Sequence, residues 1–111
     1  MVYNLSVVVT SITTLMQSDP KRTLGDLSRE LAMERHTIEK AVRTLTGKPF
    51  REWRLAFQME QAAQALATSN LTVKEIAFNL GYRSPRAFSR AFRATFGVRP
   101  VEYRRTSADH P

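Results

Sequence analysis

Two stretches of this chain are copies of one another, set 50 residues apart, and that repeat constrains the fold more than any other feature. Gly47 matches Gly97, Glu52 matches Glu102, Trp53 matches Tyr103 and Arg54 matches Arg104. Ahead of them, His36 matches Arg86, Ile38 matches Phe88, Lys40 matches Arg90, Ala41 matches Ala91, Val42 matches Phe92 and Arg43 matches Arg93. Thr23 and Thr72 pair at an offset of 49, so the second copy has a turn one residue longer. Two copies make a duplicated unit and not a solenoid, which needs about three or more repeats to bury a continuous core.

The second copy shows what the unit is. Thr72-Val-Lys-Glu75 has the form of a capping box, in which the Thr hydroxyl and the Glu carboxylate satisfy free N–H groups at a helix start. Ile76, Ala77 and Leu80 follow at helical spacing, and Gly81 suits the stop. Ser84-Pro85 starts a second helix, a capping hydroxyl followed by Pro at the first helical position. On that helix Phe88, Ala91, Phe92 and Phe96 fall on one face, and Arg86, Ser89, Arg90 and Arg93 on the opposite one. A short helix, a turn and a second helix with a basic outer face is the pattern of a helix-turn-helix that reads DNA. The Phe stripe reads as core, and Trp53 and Tyr103 as core beneath each unit.

The first copy repeats the pattern. Thr23 opens a helix to about Ala32 carrying Leu24, Leu27 and Leu31. Arg35 to Thr46 forms the next, with Ile38, Ala41, Val42 and Leu45 inward and His36, Glu39, Lys40 and Arg43 outward; Gly47 ends it. Between the units, Pro49 to about Thr68 is one long helix with Phe50, Trp53, Phe57, Ala62, Ala63 and Leu66 at its buried positions. At about twenty residues it spans ~30 Å, close to the ~34 Å between successive major grooves on one face of B-DNA. Met1 to Gln17 is also expected to be helical, on Leu5, Val8, Ile12 and Leu15 or Met16, although Val7-Val8-Val9 favours a strand locally. A short helix from Pro100 to about Arg105 and a loose tail from Thr106 to Pro111 complete the chain. The expected fold is all-α, about seven helices in one domain, residues 1–111. Its parts are a helix-turn-helix at about 23–47, a linker helix at about 49–68, a second helix-turn-helix at about 72–97 and a final helix at about 100–105.

Charge supports a nucleic-acid partner. The chain has 17 basic and 10 acidic residues, a net charge of +7. Residues 82–105 alone hold seven Arg against the single acid Glu102, whereas residues 1–81 hold ten basic and eight acidic residues. The excess is gathered around one helix, as an electrostatic footprint for phosphate requires. With no cysteine, disulfides, zinc fingers, thiol chemistry and iron–sulfur clusters are excluded. His36 and His110 are too far apart in sequence to suggest a metal site, and no cofactor is expected. No run approaches the ~18 apolar residues of a membrane span, and the N-terminus lacks a basic signal region, so a cytoplasmic protein without membrane contact is expected. No carboxylate pair, Ser–His–Asp set or Gly-rich phosphate loop suggests an enzyme.

The stretches IAFNLGYRSPRAFSRAFRATFGVRPVEYRR and, more weakly, LTGKPFREWRLAFQMEQAAQAL resemble the AraC/XylS family of bacterial transcription regulators over roughly residues 20–105. The resemblance implies an all-α DNA-binding domain with two helix-turn-helix units joined by a long helix, promoter binding and contact with RNA polymerase. It places base reading at His36, Glu39 and Lys40 in the first unit and at Arg86 and Arg90 in the second. Departures from the family pattern are Gln58, where Arg is frequent, Val42 for Phe, Arg86 for Ser and Ala32 at the turn Gly of the first unit. Most members carry a further sensing or dimerising domain. The chain is therefore expected to act as a monomer, or as a dimer through a domain outside this sequence.

Within that frame Arg90 is the candidate for a bidentate contact to guanine, with Arg86 beside it; Lys40 has the same chemistry and Glu39 can accept from cytosine N4. Arg35, Arg43, Ser84, Ser89 and Arg93 are the candidates for phosphates, which position a protein without reading sequence. Two rival readings share the charge: a sequence-blind DNA-coating protein, and a protein-interaction module that kept the fold.

Overall fold

The computed structural model describes residues 4–108, and among these it contains seven helices and no strand. They are α1 (Leu5–Ser18), α2 (Leu24–Leu31), α3 (Arg35–Thr46), α4 (Phe50–Thr68), α5 (Val73–Asn79), α6 (Pro85–Phe96) and α7 (Pro100–Ala108). The chain divides between Leu55 and Ala56 into two compact units.

In the first unit α1 packs on α3, and α2 packs on α3. Val8, Ile12 and Met16 supply the buried face of α1, and Leu27, Ile38, Ala41, Val42 and Phe50 are buried in the same unit. Burial of Val8 on a 3.6-residue stripe overrides the strand propensity of the Val7–Val9 run. The helix begins at Leu5, where the Asn4 side chain accepts from the Val7 N–H at 3.3 Å; Met1 to Tyr3 lie outside the described residues. Thr23 and Asp26 form a complete capping box at the start of α2. At its end Ala32 takes the left-handed conformation, φ 52°, that the missing glycine would have entered without steric cost.

The second unit is built around α6. Phe88 and Phe92 are fully buried against Met59, Ala62 and Leu66 of α4 and Ile76, Ala77 and Leu80 of α5. Tyr103 of α7 meets Phe92 edge-on, with ring centroids 5.4 Å apart. Thr72 and Glu75 form the second capping box, and Gly81 takes φ 91° in the turn before α6. Gln58, only 4% exposed, donates its side-chain N–H to the Leu80 carbonyl at 3.1 Å, so a buried polar group and a helix-end acceptor satisfy each other.

The repeat runs deeper than the matching residues. Helices α3 and α6 begin and end 50 positions apart, α4 and α7 begin 50 apart, and α1 and α4 end 50 apart. Helix α1 is thus the counterpart of the second half of α4, with Val8, Ile12 and Met16 standing where Gln58, Ala62 and Leu66 stand, all six buried. The matched arginines do matched work. Arg54 donates to the carbonyls of Arg22 (2.8 Å) and Lys21 (3.0 Å), just before the capping box of α2. Arg104 donates to the carbonyls of Leu66 (3.1 Å) at the end of α4 and Ser69 (3.3 Å) in the connector to α5. In each unit the helix after the turn-flanked pair reaches back and ties down the entry to that pair.

Five expectations are corrected. Leu45 is 47% exposed and Phe96 is 36% exposed, because each lies in the last turn of its helix, where the inward face runs past the edge of the core. Trp53 and Phe57 are only half-buried. Helix α7 continues to Ala108, Thr106 bonding back to the Glu102 carbonyl at 3.0 Å, so the loose tail does not begin at Thr106; Asp109 to Pro111 lie outside the described residues.

Candidate nucleic-acid interface

The candidate surface is the outer side of α6. Ser84 caps the helix, its hydroxyl oxygen accepting from the Ala87 N–H at 3.1 Å, and Pro85 fixes the first turn. Burial of Phe88 and Phe92 then sets the rotation of the helix, and Arg86, Ala87, Arg90, Arg93 and Ala94 are exposed as a consequence. Ser84 and Ser89 are half-buried at the margin. The capping bond uses an acceptor lone pair of Ser84 and leaves its proton available to a phosphate oxygen.

Electrostatics separates these cations from three of the other arginines. Arg22 pairs with Glu30 at 2.6 Å, Arg99 pairs with Glu102 at 2.5 Å, and Arg29 pairs with Asp26. Arg83, Arg86, Arg90 and Arg93 have no ion-pair partner among the described residues, and α6 contains no acidic residue. Like charges one helical turn apart cost a few tenths of a kcal/mol per pair, about 0.2–0.5. The arrangement is therefore mildly unfavourable for the isolated helix and favourable only against an external anion. Arg83, in the turn just ahead of Ser84, belongs to this set. Sequence reasoning counted its charge without giving it a role; its place between Gly81 and the cap is the signal that would have found it.

In the first unit α3 exposes Arg35, His36, Glu39, Lys40 and Arg43. Its start is weaker, since Glu34 makes no side-chain capping bond. Arg35 leans toward α2: its guanidinium lies over Gly25, where an added Cβ would come within 2.8 Å of Nη2. That places the Arg35 charge beside the N-terminal turn of α2, whose free N–H groups also favour an anion. His36, Glu39, Lys40 and Arg43 have no ion-pair partner among the described residues. One acid among these side chains makes this face less positive than that of α6. Every sequence-predicted site residue thus lies on α3, on α6 or at the cap of α6, and each of the two helices gathers its own group. No cluster of three His, Asp or Glu side chains able to hold a metal occurs among the described residues, and no helix there is long and apolar enough to cross a membrane.

Known proteins resemble this chain in sequence and fold. Residues 27–106 match the helix-turn-helix domain family. The chain is 33% identical over 100 residues to a putative AraC-like transcription regulator of Streptomyces lividans, covering 88% of this chain and 33% of that protein. It is 33% identical over 90 residues to the transcriptional activator NphR of a Rhodococcus species, covering 81% of this chain and 27% of that one. Among solved structures, the DNA-binding domain of the global transcriptional factor AdpA, crystallised with a target DNA, superposes with a TM-score of 0.73 at 30% identity, over 92% of this chain and 90% of that domain. The chain belongs to the AraC-type helix-turn-helix family of DNA-binding domains. It spans about a third or less of the length of these two relatives.

Proposed function

We propose that this chain binds double-stranded DNA sequence-specifically and regulates transcription, with α6 and α3 as its two reading helices, each entering a major groove. The observation that carries this reading is the outer face of α6, three exposed guanidiniums without an acidic partner on a helix whose rotation is fixed by two buried phenylalanines. Support comes from the AdpA domain, which shares the fold and was crystallised on DNA. Arg90 and Arg86 read guanine O6 and N7 in one groove. Lys40, with Glu39 and His36, reads bases in the other. Arg93, Arg43, Arg35, Ser84 and Ser89 hold phosphates. The two grooves are successive ones on one face of the duplex. The protein works in the cytoplasm, contacts RNA polymerase once on the promoter, and acts as a monomer or as a dimer through a further domain. It has no catalytic role.

Fluorescence anisotropy with a specific duplex and a scrambled one tests the residue roles. Arg90→Ala is expected to cost ~1–3 kcal/mol on the specific duplex and little on the scrambled one. Arg93→Ala is expected to weaken both alike and to reduce the salt slope by about one. Equal losses on both duplexes for Arg90→Ala would remove Arg90 from the reading set and favour the coating protein.

A further inference from the structure

The outer face of α6 is not wholly basic. On a helix the neighbours of Arg90 are the residues three and four positions away, which here are Arg86, Ala87, Arg93 and Ala94. Ala87 is exposed and sits in the first turn, pinned by the bond from its own N–H to the Ser84 hydroxyl oxygen at 3.1 Å. The N-terminal residues of a reading helix are the ones that reach base edges. At this point, one turn ahead of Arg90, the helix offers a bare methyl group. A methyl group has no donor and no acceptor. Of the four bases only thymine presents an apolar group in the major groove, its C5 methyl. Purine N7 or cytosine N4 pressed against Ala87 would lose water and gain no partner.

We infer that Ala87 selects a thymine, so that the half-site read by α6 carries a thymine methyl beside the guanine held by Arg90. The inference rests on the proposed reading of α6, and it gives that reading a base composition that the arginines alone do not supply. Alanine is also the best helix former, and the experiment separates selection of a base from mere helix formation.

Within a duplex enriched from a random pool, each thymine of the α6 half-site is replaced in turn by deoxyuridine, which removes the methyl and nothing else. One position is expected to weaken binding about fourfold, the equivalent of ~0.8 kcal/mol for one buried carbon. In Ala87→Gly that loss should disappear, with circular dichroism and melting used to check the fold. Ala87→Ser, which keeps a Cβ, serves where glycine unfolds the first turn, and should shrink the loss. A pool winner without a position sensitive to deoxyuridine overturns the inference while leaving the arginine reading in place. A deoxyuridine loss that persists unchanged in both variants assigns the methyl to another residue and also overturns it. A pool without any enriched sequence removes the base-reading role of α6 and the inference with it.

Discussion

Arg104→Ala tests whether the duplicated clamp holds the helix-turn-helix in place. Arg104 is half-buried and donates Nε to the Leu66 carbonyl at 3.1 Å and Nη2 to the Ser69 carbonyl at 3.3 Å. The first bond lies within the ordinary range and the second just beyond it. A hydrogen bond from a charged donor contributes about 1.5–3 kcal/mol. With one good bond and one weak one at a half-exposed site, truncation should cost the second unit about 2 kcal/mol. Both carbonyls belong to the end of α4 and the connector into α5, so the loss should appear in the elements that the connector positions. In native-state hydrogen exchange, the slowest amides of α5 and α6 should exchange about 30-fold faster, since ~1.4 kcal/mol is a factor of ten. Arg104→Lys should not restore them, because an ammonium cannot reproduce a planar fork that meets two acceptors. Arg54→Ala should act in the same way on α2 and α3, through the carbonyls of Lys21 and Arg22. Unchanged exchange in α5 and α6 after Arg104→Ala would reduce the clamp to an incidental surface contact, and the reasoning from the repeat would fail with it.

Phe92→Ala removes a fully buried ring that touches Phe88, Phe96 and Tyr103, and should cost ~3–5 kcal/mol in denaturant titration; an unchanged midpoint with weaker DNA binding would mean that α6 is rotated from its assigned facing. Ala32→Gly should stabilise the first unit by up to about 1 kcal/mol, because φ 52° costs a residue with a Cβ more than it costs glycine; a lower melting temperature would show that the turn needs the methyl. Asp26 and Glu75 are held below the ordinary carboxylate range, first by the backbone N–H of Thr23 and Thr72 and then by the hydroxyls of the same residues. The folded state therefore binds fewer protons than the unfolded chain at these groups, and their contribution is complete above the unfolded value and lost as the pH falls through the lowered one. Stability should drop below about pH 4, and Glu75→Gln should flatten that acid limb; an unaltered acid limb would place the acid sensitivity elsewhere.

Much of this architecture was written locally. The two capping boxes, Ser84-Pro85 and the Phe88–Phe92 spacing fix helix starts and facing through bonds or contacts within a few residues, so they survive as patterns in the chain. The role of α1 was not legible as a repeat, because Val8, Ile12 and Met16 share only burial with Gln58, Ala62 and Leu66, and burial at matched positions needs no matched residue type. Arg54 and Arg104 were recognisable as a pair, but their acceptors are backbone carbonyls, which leave no mark in sequence. The lean of Arg35 onto Gly25 was hidden for a related reason, since contact across a turn depends on packing and not on spacing. The exposure of Leu45 and Phe96 reflects where the core ends, a property of the neighbouring helices and not of the stripe itself.

Selection from a random pool of ~30-base-pair duplexes, followed by titration of the winner against scrambled DNA over a salt series, addresses the central claim most directly. Two reading helices predict a bipartite motif with its halves about one helical turn apart and a specificity ratio of ~10³ or more. A steep salt dependence without an enriched sequence would contradict sequence reading and leave a protein that coats DNA through its phosphates alone.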